Sequence, residues 1–149
     1  MIFKRTIAVV ALTFSACAAF ADDCSVTVNS NDRMQYDTKL VEISKSCTDF
    51  TVVLNHTGKM PAAAMGHNWV LTKAADARSV ATAGISAGLA NNYLKVGDAR
   101  VIAATKIIGG GESTSVTFPV SKLSDSEAYK FFCSFPGHIG VMIGDVKLK

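Results

Sequence analysis

The chain has 149 residues and a formal net charge of +3, from 15 lysines and arginines against 12 aspartates and glutamates. That length suits one domain with a real core and is short for two. So small a charge gives no argument for a nucleic acid or a membrane surface as partner.

The chain opens with MIFKRTIAVVALTFSACAAFA, which sets Lys4 and Arg5 before the apolar run Ile7 to Phe14 and closes on Ala19-Phe20-Ala21. This order reads as a secretory signal peptide over residues 1–21, too short to span a bilayer as a stable anchor. Cleavage after Ala21 leaves one domain, residues 22–149, in which basic and acidic side chains nearly cancel. A rival reading makes Phe14-Ser15-Ala16-Cys17 a lipidation site, but Phe three places before Cys17 fits that motif poorly.

Export would leave Cys24, Cys47 and Cys133, an odd number in an oxidising compartment, so one thiol is expected to stay free. Cys24 and Cys47 lie in flanks typical of strand ends, CSVTV and SKSC. Joining them would stabilise the fold by roughly 3 kcal/mol in the chain-entropy account. Cys133, inside Phe131-Phe132-Cys133, is then the odd one out, either a buried inert thiol or one kept for chemistry.

In chain order, short runs rich in β-branched and aromatic residues predict eight strands, at 26–28, 40–43, 50–55, 68–71, 101–108, 115–120, 129–133 and 142–148. Thr57-Gly58-Lys59, Gly109-Gly110-Gly111, Ser124-Asp125-Ser126 and Pro136-Gly137 supply the turns between them. The pattern reads as an all-β, antiparallel Greek-key sandwich or barrel. One short helix is expected over 74–90, AADARSVATAGISAGLA, weakened by Gly84 and Gly88 and packed on the outside. The triple glycine lacks the Lys-Ser/Thr pair of a phosphate loop and reads as a hairpin turn.

Residues 131–142, FFCSFPGHIGVM, set a thiol at Cys133, an imidazole at His138 and a thioether at Met142 around one turn. A Cys-His nucleophile would leave Met142 without a role. Zinc prefers ligands other than a thioether, whereas copper accepts thiolate and thioether in its reduced form and imidazole in its oxidised form. An electron-transfer copper site needs a second histidine, so His56 and His67 are the candidates. His67 is favoured because Gly66 before it lets backbone approach a metal and Asn68 after it can bond to a neighbouring loop. His56 is then a half-buried structural or pH-titrating residue.

With these residues in place, the chain resembles the azurins, bacterial periplasmic blue copper proteins of the cupredoxin fold. The resemblance runs from CSVTV through MGHNWVL and FFCSFPGHIGVM to the final DVKLK. It implies one type 1 copper ion held by His67, Cys133 and His138, with Met142 and the Gly66 carbonyl as weak axial contacts. It implies hydrogen bonds around the thiolate from Asn68 and the Phe135 backbone N–H, a Cys24–Cys47 disulfide and a buried Trp69. An apolar patch of Met34, Met65, Phe135, Pro136, Gly137 and Val141 would surround the edge of His138. The implied role is single-electron transfer without catalysis, with c-type cytochromes, a nitrite reductase or an amine dehydrogenase as partners. His56-Thr57 stands where many azurins have His-Pro, and Ile139-Gly140-Val141 where Ser-Ala-Leu is common. The competing functions are a copper storage or delivery protein using the same ligands, and a Cys-His thiol enzyme.

Overall fold

A computed structural model describes residues 24–149. The expected signal peptide and the alternative site at Cys17 lie outside the described residues. Nine strands form two sheets. Strands β1 (Ser25–Asn31), β2 (Gln35–Tyr36), β4 (Asp49–His56) and β7 (Ser113–Pro119) make sheet one in the order β2-β1-β4-β7. Strands β3 (Leu40–Ile43), β5 (Val70–Lys73), β6 (Ala103–Ala104), β8 (Tyr129–Phe132) and β9 (Ile143–Leu148) make sheet two in the order β3-β9-β8-β5-β6.

Strand alternation decides what faces inward. In β4 every second side chain is buried, so Phe50, Val52, Leu54 and His56 all point at the other sheet. In sheet two, Leu71 and Phe131 are register partners facing the core, while Val70 and Phe132 pair on the opposite face. Trp69 is fully buried between the sheets, stacked on Phe131 at 5.7 Å and Phe118 at 6.2 Å. Burying each such ring contributes on the order of 2–3 kcal/mol.

The outer face of sheet two is covered by helix α2 (Ala77–Gly84), which lays Ala77, Val80 and Ala81 on Val70 and Phe132. It ends earlier than the sequence suggests. After Gly84 the chain continues as two 3₁₀ turns, Ile85–Ala87 and Leu89–Asn91, separated by Gly88 at φ +71°. A further helical turn, α1 (Ala62–Met65), precedes Gly66.

Two features depart from the expected antiparallel pattern. Strand β1 pairs with β4, and β3 with β9, in parallel. These partners are separated by crossings between the sheets and not by hairpins, which leaves both members running the same way. The strand expected over 101–108 shrinks to Ala103–Ala104 because the Thr105 hydroxyl accepts the Trp69 N–H at 2.9 Å in place of a backbone carbonyl. Pairing resumes at a bridge between His67 and Ile108.

The expected disulfide is present, joining Cys24 to Cys47 with Cα atoms 5.7 Å apart, and Cys133 is a buried free thiol. The pair sits where β1 and β4 begin. Because these neighbours run parallel, both end at the opposite pole, at Asn31 and His56.

Candidate metal centre

The alternation that puts Phe131 and Trp69 in the core carries two residues further to Cys133 and two residues back to His67. Both are fully buried at the pole where β1 and β4 end. A tight turn after Cys133 returns the chain through His138 to Met142. The Met142 N–H donates to the His138 carbonyl at 2.8 Å, and the Cys133 N–H donates to the Met142 carbonyl at 3.0 Å. Backbone bonds thus fix the positions of Cys133, His138 and Met142 relative to one another.

The ligand atoms of His67, Cys133 and His138 all lie within 4.8 Å of one another. Cys133 Sγ is 3.8 Å from His67 Nδ1 and 3.6 Å from His138 Nδ1. Bonds of about 2.3 Å to sulfur and about 2.0 Å to nitrogen, as zinc shows, would set the two donor atoms about 3.7 Å apart in a trigonal plane. The spacing therefore suits one metal ion shared by the three side chains. Two imidazoles and a thiol, with the fully buried Met142 tied to the same turn by backbone bonds, form a donor set that favours copper over a hard cation.

A neighbour assigns the roles of the two nitrogens of His67. The His67 Nε2–H donates to the Asn31 carbonyl at 2.9 Å, which leaves the Nδ1 lone pair facing the thiol. Desolvation pulls the His67 pKa down to about 4 against the opposing Asn31 bond, and desolvation also lowers that of His138. Both rings are neutral at pH 7, as ligation requires. Burial pushes the Cys133 thiol up to about 11, opposed by the backbone N–H groups of Asn68 and Phe135 and by the Tyr36 hydroxyl. A cation in the cluster would reverse that balance, and those donors would then stabilise the thiolate.

Gly66 is the residue that close approach demands. Its carbonyl oxygen lies 3.9 Å from Cys133 Sγ, and a Cβ there would fall 2.4 Å from the Ala62 carbonyl oxygen and 2.5 Å from Ile107 Cγ2. Asn68 ties the two ligand-bearing loops together: its Nδ2 donates to Ser134 Oγ at 2.8 Å, and its Oδ1 accepts the Ser134 N–H at 2.9 Å.

Of the expected apolar patch, Val141 is 53 % exposed and Met34 38 %, Gly137 is exposed, and Met65, Phe135 and Pro136 are half-buried. Phe135 stacks on His138 at 4.5 Å. His138 is 4 % exposed against 0 % for His67, so of the two rings it is the one that reaches the surface.

His56 has the structural role that one of its two readings gave it, but is more deeply buried than expected. It is fully buried, its Nδ1 accepts the Gly58 N–H at 3.0 Å, and its Nε2–H donates to the Met65 carbonyl at 2.9 Å. Its ring stacks on that of His67 at 4.6 Å. With both nitrogens committed, His56 supports the ligand ring without joining the cluster. The alternation of Phe50, Val52 and Leu54, carried one step on, would have placed it inward. Asn31 and Tyr36 were missed because one acts through a carbonyl and the other sits in a two-residue strand.

A two-sheet β-sandwich with a buried Cys-His-His cluster at one pole, and Met142 on the same ligand turn, defines a blue copper domain of the cupredoxin kind. The sequence profile of the copper-binding proteins of the plastocyanin/azurin family matches residues 22–149. The azurin of Achromobacter denitrificans is 57 % identical over 148 residues, covering 99 % of each chain. The azurin of Bordetella pertussis is 56 % identical over 148 residues, covering 98 % of each. A solved azurin from the obligate methylotroph Methylomonas sp. strain J superposes with a TM-score of 0.83 at 53 % identity, over 86 % of this chain and 99 % of that one. The chain belongs to the plastocyanin/azurin family of copper-binding proteins, and its His67, Cys133 and His138 cluster fits a single type 1 copper ion.

Proposed function

We propose that the chain carries single electrons between redox proteins in the periplasm, after removal of residues 1–21, and catalyses no reaction of its own. The carrying observation is the buried triad in which Cys133 Sγ lies 3.8 Å from His67 Nδ1 and 3.6 Å from His138 Nδ1, held on backbone-fixed loops. In this reading His67, Cys133 and His138 hold the metal, and Met142 with the Gly66 carbonyl flanks them. Bound copper supplies a one-electron couple, Cu(II)/Cu(I). The protein's contribution is a cradle that stays the same in both states. The Asn68 amide and the Ser134 bonds keep the loops from relaxing, and the N–H groups of Asn68 and Phe135 draw charge from the thiolate.

A partner would meet His138 first, within the patch of Met34, Met65, Phe135, Pro136, Gly137 and Val141. Apolar contact of this kind supports brief docking. Redox partners of the class implied by the azurin resemblance, c-type cytochromes, a nitrite reductase or an amine dehydrogenase, suit such a surface. Complete burial of Cys133 weighs against a thiol enzyme, and burial of all three ligands weighs against copper delivery, which needs an exchangeable site.

Adding Cu(II) to the purified chain is expected to give an intense blue colour that Cys133→Asp abolishes. Blue colour that survives the substitution would overturn thiolate ligation. Rapid electron self-exchange with slow copper release to a chelator supports the carrier, and the reverse supports delivery.

A further inference from the structure

The segment 85–101 runs outside sheet two and contributes no ligand atom to the metal cluster. It nevertheless holds two consecutive non-glycine residues, Asn92 and Tyr93, in the left-handed region at φ +55° and +49°. Such conformations cost stability and persist where their surroundings over-determine them.

Three loops supply that determination. The Asn92 carbonyl accepts from Ser134 Oγ at 2.8 Å and from Asn68 Nδ2 at 3.2 Å. Its side-chain Oδ1 accepts the Ile107 N–H at 2.8 Å. The Tyr93 ring meets Phe135 edge-on at 5.2 Å, and Phe135 in turn stacks on His138. Every one of these contacts lands beside a metal-facing group: Asn68 follows His67, Ser134 follows Cys133, and Ile107 packs against Gly66.

The segment is also held from behind. The Asn92 N–H donates to the Leu89 carbonyl and the Tyr93 N–H to the Gly88 carbonyl, each at 2.9 Å. Gly84, where α2 ends, lies so close that a Cβ there would fall 1.9 Å from the Tyr93 carbonyl oxygen. The end of the helix therefore packs directly against the left-handed pair.

We propose that Asn92 is a positioning residue of the metal centre, its left-handed turn acting as a strut that fixes the loops of His67, Ile107 and Cys133 at one spacing with or without metal. The strut makes the site rigid before copper arrives. It also explains why a strained pair stands in an otherwise ordinary surface excursion. The inference deepens the copper reading and rests on it for the measurements on loaded protein, though not for those on the metal-free chain.

The test compares the mature chain with Asn92→Gly, which keeps the left-handed backbone without strain but removes Oδ1, and with Asn92→Asp, which keeps an acceptor. In the metal-free protein, hydrogen exchange at the amides of Ile107 and Ser134 is expected to quicken about tenfold in Asn92→Gly and to return toward wild type in Asn92→Asp. Amide exchange in β4 should not change. In the copper-loaded protein, Asn92→Gly should release copper to a chelator roughly fivefold faster and shift the visible band and reduction potential, with Asn92→Asp restoring both. Wild-type exchange, release and colour in Asn92→Gly, with only the melting temperature lowered, would overturn the proposal. So would an Asn92→Asp variant that behaves like Asn92→Gly. A wild-type chain that takes up no Cu(II) would sink the functional reading and leave the metal-free exchange measurement to decide this one.

Discussion

The two poles of the sandwich both rest on sulfur and use it in opposite ways. At one, Cys24 and Cys47 join the starts of β1 and β4 by a covalent bond. At the other, where the same strands end, Cys133 stays unpaired and is held only by packing and hydrogen bonds. The covalent end tolerates partial exposure of Cys24, because a disulfide needs no particular dielectric. The open end requires complete burial, because a thiol kept for a metal has to be shielded from water and oxidants. Cross-linking stabilises the first pole mainly through the unfolded chain. Order at the second comes from many directed bonds in the folded one.

Removing the free sulfur should have the largest effect. Cys133→Ser is expected to abolish blue colour while the metal-free chain keeps its fold, checked by visible absorption and circular dichroism; retained colour would break the division of labour. Removing the paired sulfurs should do the converse. A Cys24→Ala, Cys47→Ala double variant should melt roughly 10 °C lower, from the loss of about 3 kcal/mol, with its copper spectrum unchanged. A changed spectrum would mean that the disulfide pole constrains the metal pole through β1 and β4.

Asn68→Ala sharpens the contrast from the open side. It deletes the amide bonds to Ser134 and Asn92 and is expected to speed copper release about tenfold and shift the potential, with melting lowered by only a few degrees. Unaltered release kinetics would show that the loops hold their spacing without this tie.

The smallest effect lies away from both poles. Arg100 hydrogen-bonds the Asp98 carboxylate and brings its pKa from 3.8 to about 2. A carboxylate with a depressed folded-state pKa stabilises fully above about pH 4 and loses that contribution as the pH falls toward about 2. Asp98→Asn should therefore melt roughly 2 °C lower at pH 7 and match wild type near pH 2, without any change in colour. A difference that persists undiminished at pH 2 would assign the effect to packing.

Much of this was legible in the residues. Eight strands were placed by their alternation, and the triad by the chemistry of Cys133, His138 and Met142, with His67 chosen by its flanks. The parallel pairs were not legible, because a run such as Leu40–Ile43 carries no mark of the direction of its neighbour. Strand β2 is too short, at two residues, to show a period, and α2 is shorter than its sequence suggests because Gly84 and Gly88 end the helix and do not merely weaken it. Asn92 was invisible for a different reason. Its part is played by a carbonyl and a backbone angle, neither of which residue identity declares.

The parallel pairing of β3 with β9 has a consequence in time. Leu40 and its partner Asp145 lie more than a hundred residues apart, and among the described residues β3 has no other strand beside it. In a chain that emerges from its amino end at about 5–20 residues per second, β3 would wait on the order of 5–20 s for that neighbour. Through that interval LVEI is an unpaired edge, protected from association with other chains chiefly by the charge of Glu42 at its centre. The ligand loop lies between β8 and β9, so the cradle forms at the close of the same wait.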